Sequence, residues 1–144
     1  MFNMRRALVA GIVVAAAVPA VVLAATPKVG YYIDPKLQVY IDVRGTPPHV
    51  KSFQGPCLRT PQGGGQDIST GGYIINRKMS ISSKAKFSFS GKVKLQSGTD
   101  ISHINVKING KFKSGKAKGT VTFPQGECNK TTFTGKYYGK NPQG

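Results

Sequence analysis

The chain has 144 residues and carries 21 lysines and arginines against only 5 acidic side chains, a formal net charge of +16 at neutral pH. That length allows one ordinary domain behind a leader segment, and the charge directs association toward polyanions. With so few carboxylates, two-carboxylate hydrolysis has little to work with, and the Gly-x-Ser-x-Gly, His-Glu-x-x-His and phosphate-loop patterns are missing from the sequence.

The chain opens with a short basic stretch, Met1 to Arg6, followed by a charge-free run over residues 7–25 rich in Ala and Val. The run ends in Val22-Leu23-Ala24-Ala25 before Thr26. A basic start, an apolar middle and small residues at the end predict a secretory signal peptide over 1–25, cleaved after Ala24 or Ala25. The alternative is a retained anchor, since 19 residues is near the lower limit for crossing a bilayer. Pro19 inside the run and the small residues at its end favour removal. In either case residues 26–144 are expected as one secreted or envelope-associated domain. Losing Arg5 and Arg6 leaves that domain 19 basic and 5 acidic residues, a net charge of +14.

Beyond the leader no stretch has helical periodicity, and apolar residues alternate with polar ones. The pattern predicts an all-β domain with many turns. Gly30 to Ile33 is a short strand candidate, Leu37 to Val43 a half-buried strand with apolar odd positions, and His49 to Phe53 another short candidate. Residues 55–72, rich in Gly and Pro, read as a long loop. Cys57 lies at its start and Cys128 far along the chain; an even count in an oxidising compartment predicts a disulfide between them. Neither His49 nor His103 stands at a recognisable metal-ligand spacing from these cysteines, so no metal or cofactor is expected.

The second half alternates more regularly. Ala85, Phe87, Phe89, Val93 and Leu95 share one parity, and Lys84, Lys86, Lys92 and Lys94 the other. Ile104, Val106, Ile108 and Phe112 alternate with Lys107, Lys111 and Lys113, then Ala117, Val121 and Phe123 with Lys116 and Lys118. Asn109-Gly110 looks like a hairpin turn by dipeptide, but a turn there sends Phe112 outward. A turn at Ser114-Gly115 instead pairs Lys113 with Lys116, Phe112 with Ala117, Gly110 with Gly119 and Ile108 with Val121, which puts every apolar residue on one face. The same register sets Lys111 opposite Lys118 on the outer face, and like charges directly opposite repel. Two explanations compete: lysines that protect outer strands from edge-to-edge pairing, or an anionic ligand that offsets the repulsion.

The opening Gly30-Tyr31-Tyr32, Cys57 after the third strand, Phe87-Ser88-Phe89-Ser90-Gly91-Lys92-Val93, Ile108-Asn109-Gly110-Lys111-Phe112, Ala117-Lys118-Gly119-Thr120-Val121 and Cys128 before the final strand form a layout over most of residues 26–144. The layout resembles small uncharacterised exported proteins of Gram-positive and actinobacterial type. That resemblance implies an antiparallel β-sandwich of about seven to nine strands, preceded by a signal-peptide helix, and a Cys57–Cys128 link, and it implies no activity.

The expected function is binding of anionic envelope or extracellular polymers, such as teichoic acid or acidic polysaccharide, through Lys84, Lys86, Lys92, Lys94, Lys107, Lys111, Lys113, Lys116 and Lys118. Lysine is a point charge without the guanidinium fork, so specific nucleic-acid recognition is not expected. Tyr40 and Tyr138, at outward parity, are candidate sugar-stacking platforms. A second reading is a protein-binding effector or inhibitor that uses the 55–72 loop. An enzyme is disfavoured: Asp100 and His103 flank a turn and could meet, but no serine with a defined base geometry accompanies them.

Overall fold

The computed structural model describes residue 11, residues 15–17 and residues 26–141. The expected signal-peptide helix over 1–25 lies outside the described residues apart from those four positions. The described domain is all-β, with strands β1 (Gly30–Asp34), β2 (Val39–Arg44), β3 (His49–Arg59), β4 (Ile68–Ile75), β5 (Met79–Ser80), β6 (Lys86–Ser97), β7 (Asp100–Lys113), β8 (Lys116–Thr122) and β9 (Thr131–Gly139).

All pairings are antiparallel and join the strands into one sheet in the order β2-β1-β9-β8-β7-β6-β4-β3-β5. β3 also pairs with β2, so the sheet returns to its own beginning. The expectation of two packed sheets is therefore replaced by a single sheet closed into a barrel. β5 pairs with the start of β3 and continues the side of β3 that β4 occupies further along. The physical reason is connectivity. Each strand pairs with its neighbour in the chain, with β5 the short exception and β4 meeting β6 at two residue pairs only, and β9 pairs with β1, so the sheet closes on itself.

The apolar parity of each strand points inward, and the interior is filled by side chains. Tyr32, Phe87 and Phe112 form one aromatic cluster, with ring centroids 4.9 Å apart for Tyr32–Phe112 and 5.1 Å for Phe87–Phe112. Phe53, Tyr73, Phe123 and Phe133 form another, Phe53–Phe133 at 5.4 Å and Tyr73–Phe123 at 5.9 Å. Val39, Ile41, Val43, Val50, Ile108 and Val121 fill the space between, all fully buried.

The wall is thinnest between β4 and β6, which share only the pairs Gly72↔Gln96 and Tyr73↔Leu95. The Ser97 hydroxyl donates to the Thr70 carbonyl at this seam, and Gly71 allows Gln96 to come close. Below it the strands diverge, and the Arg77 guanidinium lies over the Phe89 ring, 5.8 Å from its centroid.

The expected 55–72 loop is corrected. Gly55 to Arg59 and Ile68 to Gly72 are paired strand, leaving residues 60–67 as the loop. Gly55 reads as loop by composition, yet it is small because the Tyr73 ring and hydroxyl fill the place of a side chain there. Cys57 is bonded to Cys128 across a sequence separation of 71, tying the end of β3 to the segment before β9. Around the bond, Asn129 N–H donates to the Leu58 carbonyl and Arg59 Nε to the Glu127 carbonyl. The Asn129 side chain donates to Thr60 Oγ1 and Asp67 Oδ2. The disulfide is compatible with an oxidising, extracellular environment.

Candidate functional site

The hairpin between β7 and β8 has the register that parity requires: Lys113↔Lys116, Phe112↔Ala117, Lys111↔Lys118, Gly110↔Gly119 and Ile108↔Val121. Ser114 and Gly115 both have positive φ, 52° and 72°, as a two-residue turn matched to strand twist demands. The inward faces of Gly110 and Gly119 leave room for the rings of Phe87 and Phe133, so β6, β7, β8 and β9 lie flush and their outward residues line up.

Two rows of lysines result, running across the strands rather than along them. In the first, Lys86 on β6 is opposite Lys111 on β7, which is opposite Lys118 on β8, which is opposite Thr134 on β9. In the second, Lys113 on β7 is opposite Lys116 on β8, which is opposite Lys136 on β9. Lys111 and Lys113 lie two residues apart on one face, as do Lys116 and Lys118, so the rows are adjacent. Neighbouring strands are about 4.8 Å apart and alternate residues about 6.7 Å, which concentrates six ammonium groups on a small area. The one ion pair recorded among the described residues joins Arg44 to Asp42, 2.6 Å apart, and involves none of these lysines.

The sequence-predicted lysines do not all share this patch. Lys86, Lys111, Lys113, Lys116 and Lys118 form it, and Lys84 is exposed in the turn just before Lys86. Lys107 is opposite Ser90 and Thr122, Lys92 opposite Asn105, and Lys94 opposite His103. These three continue outward-facing along β6 and β7 toward the other end of the barrel. Lys136 belongs to the patch and was missed by parity on β6 to β8. The signal for it is the Gly-Lys-apolar pattern that Gly135-Lys136-Tyr137 shares with Gly110-Lys111-Phe112 and Gly115-Lys116-Ala117.

Two grooves flank the rows. One, of about 700 Å³, is lined by Ser80, Ser82, Lys86, Ser88, Asn109 and Lys111, with Phe87 and Ile81 beneath. The other, of about 550 Å³, is lined by Lys36, Leu37, Thr132, Thr134 and Lys136. Asp34 borders the second groove, but its carboxylate accepts from the backbone N–H groups of Lys36, Leu37 and Thr134 at 3.1, 3.3 and 2.9 Å. Three such donors engage its oxygens and hold the β1–β2 turn against β9.

Of the tyrosines, Tyr40 and Tyr138 are exposed, at 37% and 60%. Tyr40 lies in the line of the second lysine row, two strands beyond Lys136 through Ile33. Tyr32 and Tyr73 are core residues, and Tyr137 is half-buried, donating from its hydroxyl to the Val29 carbonyl. Asp100 and His103 are opposite Ser97 and Lys94, and no hydrogen bond joins their side chains. Among the described residues no group of three His, Cys, Asp or Glu side chains is placed to hold a metal ion.

The chain matches no protein-family model, no curated protein and no solved structure. Architecture and surface together define the class: a disulfide-linked, all-antiparallel β domain with cross-strand lysine rows on its outer wall.

Proposed function

We propose that this protein acts outside the cell or at the envelope as a binding module for anionic polymers, which it engages through the lysine rows of β6 to β9. The observation that carries this reading is the pairing of β7 and β8. Both are hydrogen-bonded on two sides, so Lys107, Lys111, Lys113, Lys116 and Lys118 guard no free edge. Edge protection, the bland account of such lysines, applies to strands with an unpaired side and gives no reason for these. Like charges placed directly opposite oppose folding, and a polyanion offsets that repulsion.

The same reading favours polymers over small anions. Exposed lysine ammonium groups are strongly hydrated point charges, weak singly and effective in rows. The competing protein-binding reading loses much of its surface, because only residues 60–67 of the 55–72 segment are loop.

The test is binding of the oxidised protein to a panel of anionic polymers over a salt series. Affinity should fall steeply with salt, and each of Lys111→Gln, Lys116→Gln and Lys118→Gln should lower the slope of log affinity against log salt by about one. No binding at low salt would overturn the proposal and leave the 60–67 loop as the surface to examine for protein partners.

A further inference from the structure

Beside the first lysine row runs a row of a different chemistry. Ser88 on β6 is opposite Asn109 on β7, which is opposite Thr120 on β8, which is opposite Thr132 on β9. All four are outward by strand parity, and Ser88, Asn109 and Thr132 are exposed. Lysines occupy the first line on β6, β7 and β8, which ends on Thr134 of β9, and hydroxyl and amide groups occupy the next line across all four strands. The two grooves sit at the two ends of this double line. The first holds Ser88 and Asn109 beside Lys86 and Lys111, and the second holds Thr132 beside Thr134 and Lys136.

From this juxtaposition we infer that the ligand is a linear acidic glycan lying across the strands from one groove to the other, its acidic groups on the lysine line and its ring hydroxyls on the Ser88-Asn109-Thr120-Thr132 line. The inference rests on the polyanion-binding reading and specifies its ligand. A pure phosphate chain has anions to offer the lysines but no hydroxyl donors for the neutral row. A sugar chain with an acidic group on its rings offers both. Hydroxyl and amide side chains both donate and accept, as sugar hydroxyls do. The span from β6 to β9 is three inter-strand steps, about 14 Å, so a ligand confined to one groove meets only part of the line.

The experiment compares size-graded oligogalacturonates with inorganic polyphosphates of matched charge, using the oxidised protein at fixed low salt. Affinity for the uronate series should climb steeply with length until the oligomer crosses the four strands, then level off. Ser88→Ala and Asn109→Ala should each weaken the longer uronates about three- to tenfold and leave polyphosphate binding unchanged, while Lys111→Gln weakens both. Thermal unfolding of each variant confirms that these outer-wall changes leave the fold intact. Equal effects on both polymers, or none on either, would overturn the glycan inference with polyanion binding still standing. A disaccharide that binds as tightly as the long oligomers would overturn the crossing. Failure of every polymer to bind would remove the polyanion reading itself.

Discussion

The ring of Phe87 lies in the space that a side chain on Gly110 would occupy, the two residues being direct partners across β6 and β7. At Gly119, opposite Gly110 on β8, a side chain would meet the Asn109 carbonyl and the Gly110 Cα of β7 as well as the Phe133 ring. The two glycines thus let β7 and β8, which carry the lysine rows, approach closely while aromatic rings pack against them. Gly110→Ala puts a methyl group against the Phe87 ring. Overpacking of this kind costs about 1–3 kcal/mol, so the urea midpoint should fall, and affinity for polymer should fall with it because Lys86↔Lys111 is the adjacent pair. An unchanged midpoint would mean that the ring relaxes freely.

The Cys57–Cys128 bond closes a covalent loop with a sequence separation of 71. For a loop of this size the chain-entropy model gives about 4 kcal/mol. The double variant Cys57→Ala/Cys128→Ala, or the reduced protein, should lose stability of that order in denaturant titration. The loop 60–67 should become protease-sensitive before the rest, since the contacts of Asn129 with Thr60 and Asp67 depend on the bond's position. Loss of well under 1 kcal/mol would indicate that the reduced unfolded chain is already compact.

Strand parity made the outer wall legible in the sequence. Lys111 opposite Lys118 follows from requiring Ile108, Phe112, Ala117 and Val121 to share one face, and the structure has that register. Closure was not legible, because the number of sheets depends on which non-adjacent strands meet, and the β1–β9 pairing joins segments about a hundred residues apart. The strand at Gly55 to Arg59 was hidden by composition. Gly55, Gly71 and Gly72 look like loop residues, but Gly55 and Gly71 are small because Tyr73 and Gln96 press against them. Lys136 and the Ser88-Asn109-Thr120-Thr132 row joined the site only once β9 was aligned on β8.

Lys118 faces Lys111 and lies beside Lys116, and no described acid forms an ion pair with any of them. Directly opposed like charges cost about 0.2–1 kcal/mol. Lys118→Glu should therefore raise stability by a few tenths of a kcal/mol at low salt, with the gain shrinking as salt screens the wild-type repulsion. The same substitution should weaken polymer binding more than Lys118→Gln does. A residue whose charge harms folding and helps binding is the signature of a functional patch. A drop in stability for Lys118→Glu would instead place the lysine in a stabilising contact.

Tyr73 is buried in the barrel, with its hydroxyl unpartnered by any described group, and burial pushes its phenol well above the ordinary value. The sign of the pH effect follows from which state ionises first. Above about pH 10 the unfolded chain releases the Tyr73 proton while the folded one keeps it. The folded state then binds more protons, so stability is full below pH 10 and declines as pH rises further. Tyr73→Phe removes both the unpaired hydroxyl and the titration. It should stabilise the protein by about 1 kcal/mol at neutral pH and flatten the alkaline decline. Tyr32, which burial also raises, leaves a residual slope in both proteins and so serves as the internal control. If Tyr73→Phe instead lowers the neutral-pH midpoint, an ordered water is satisfying the hydroxyl, and the cost of losing that bond exceeds the gain from removing a buried polar group.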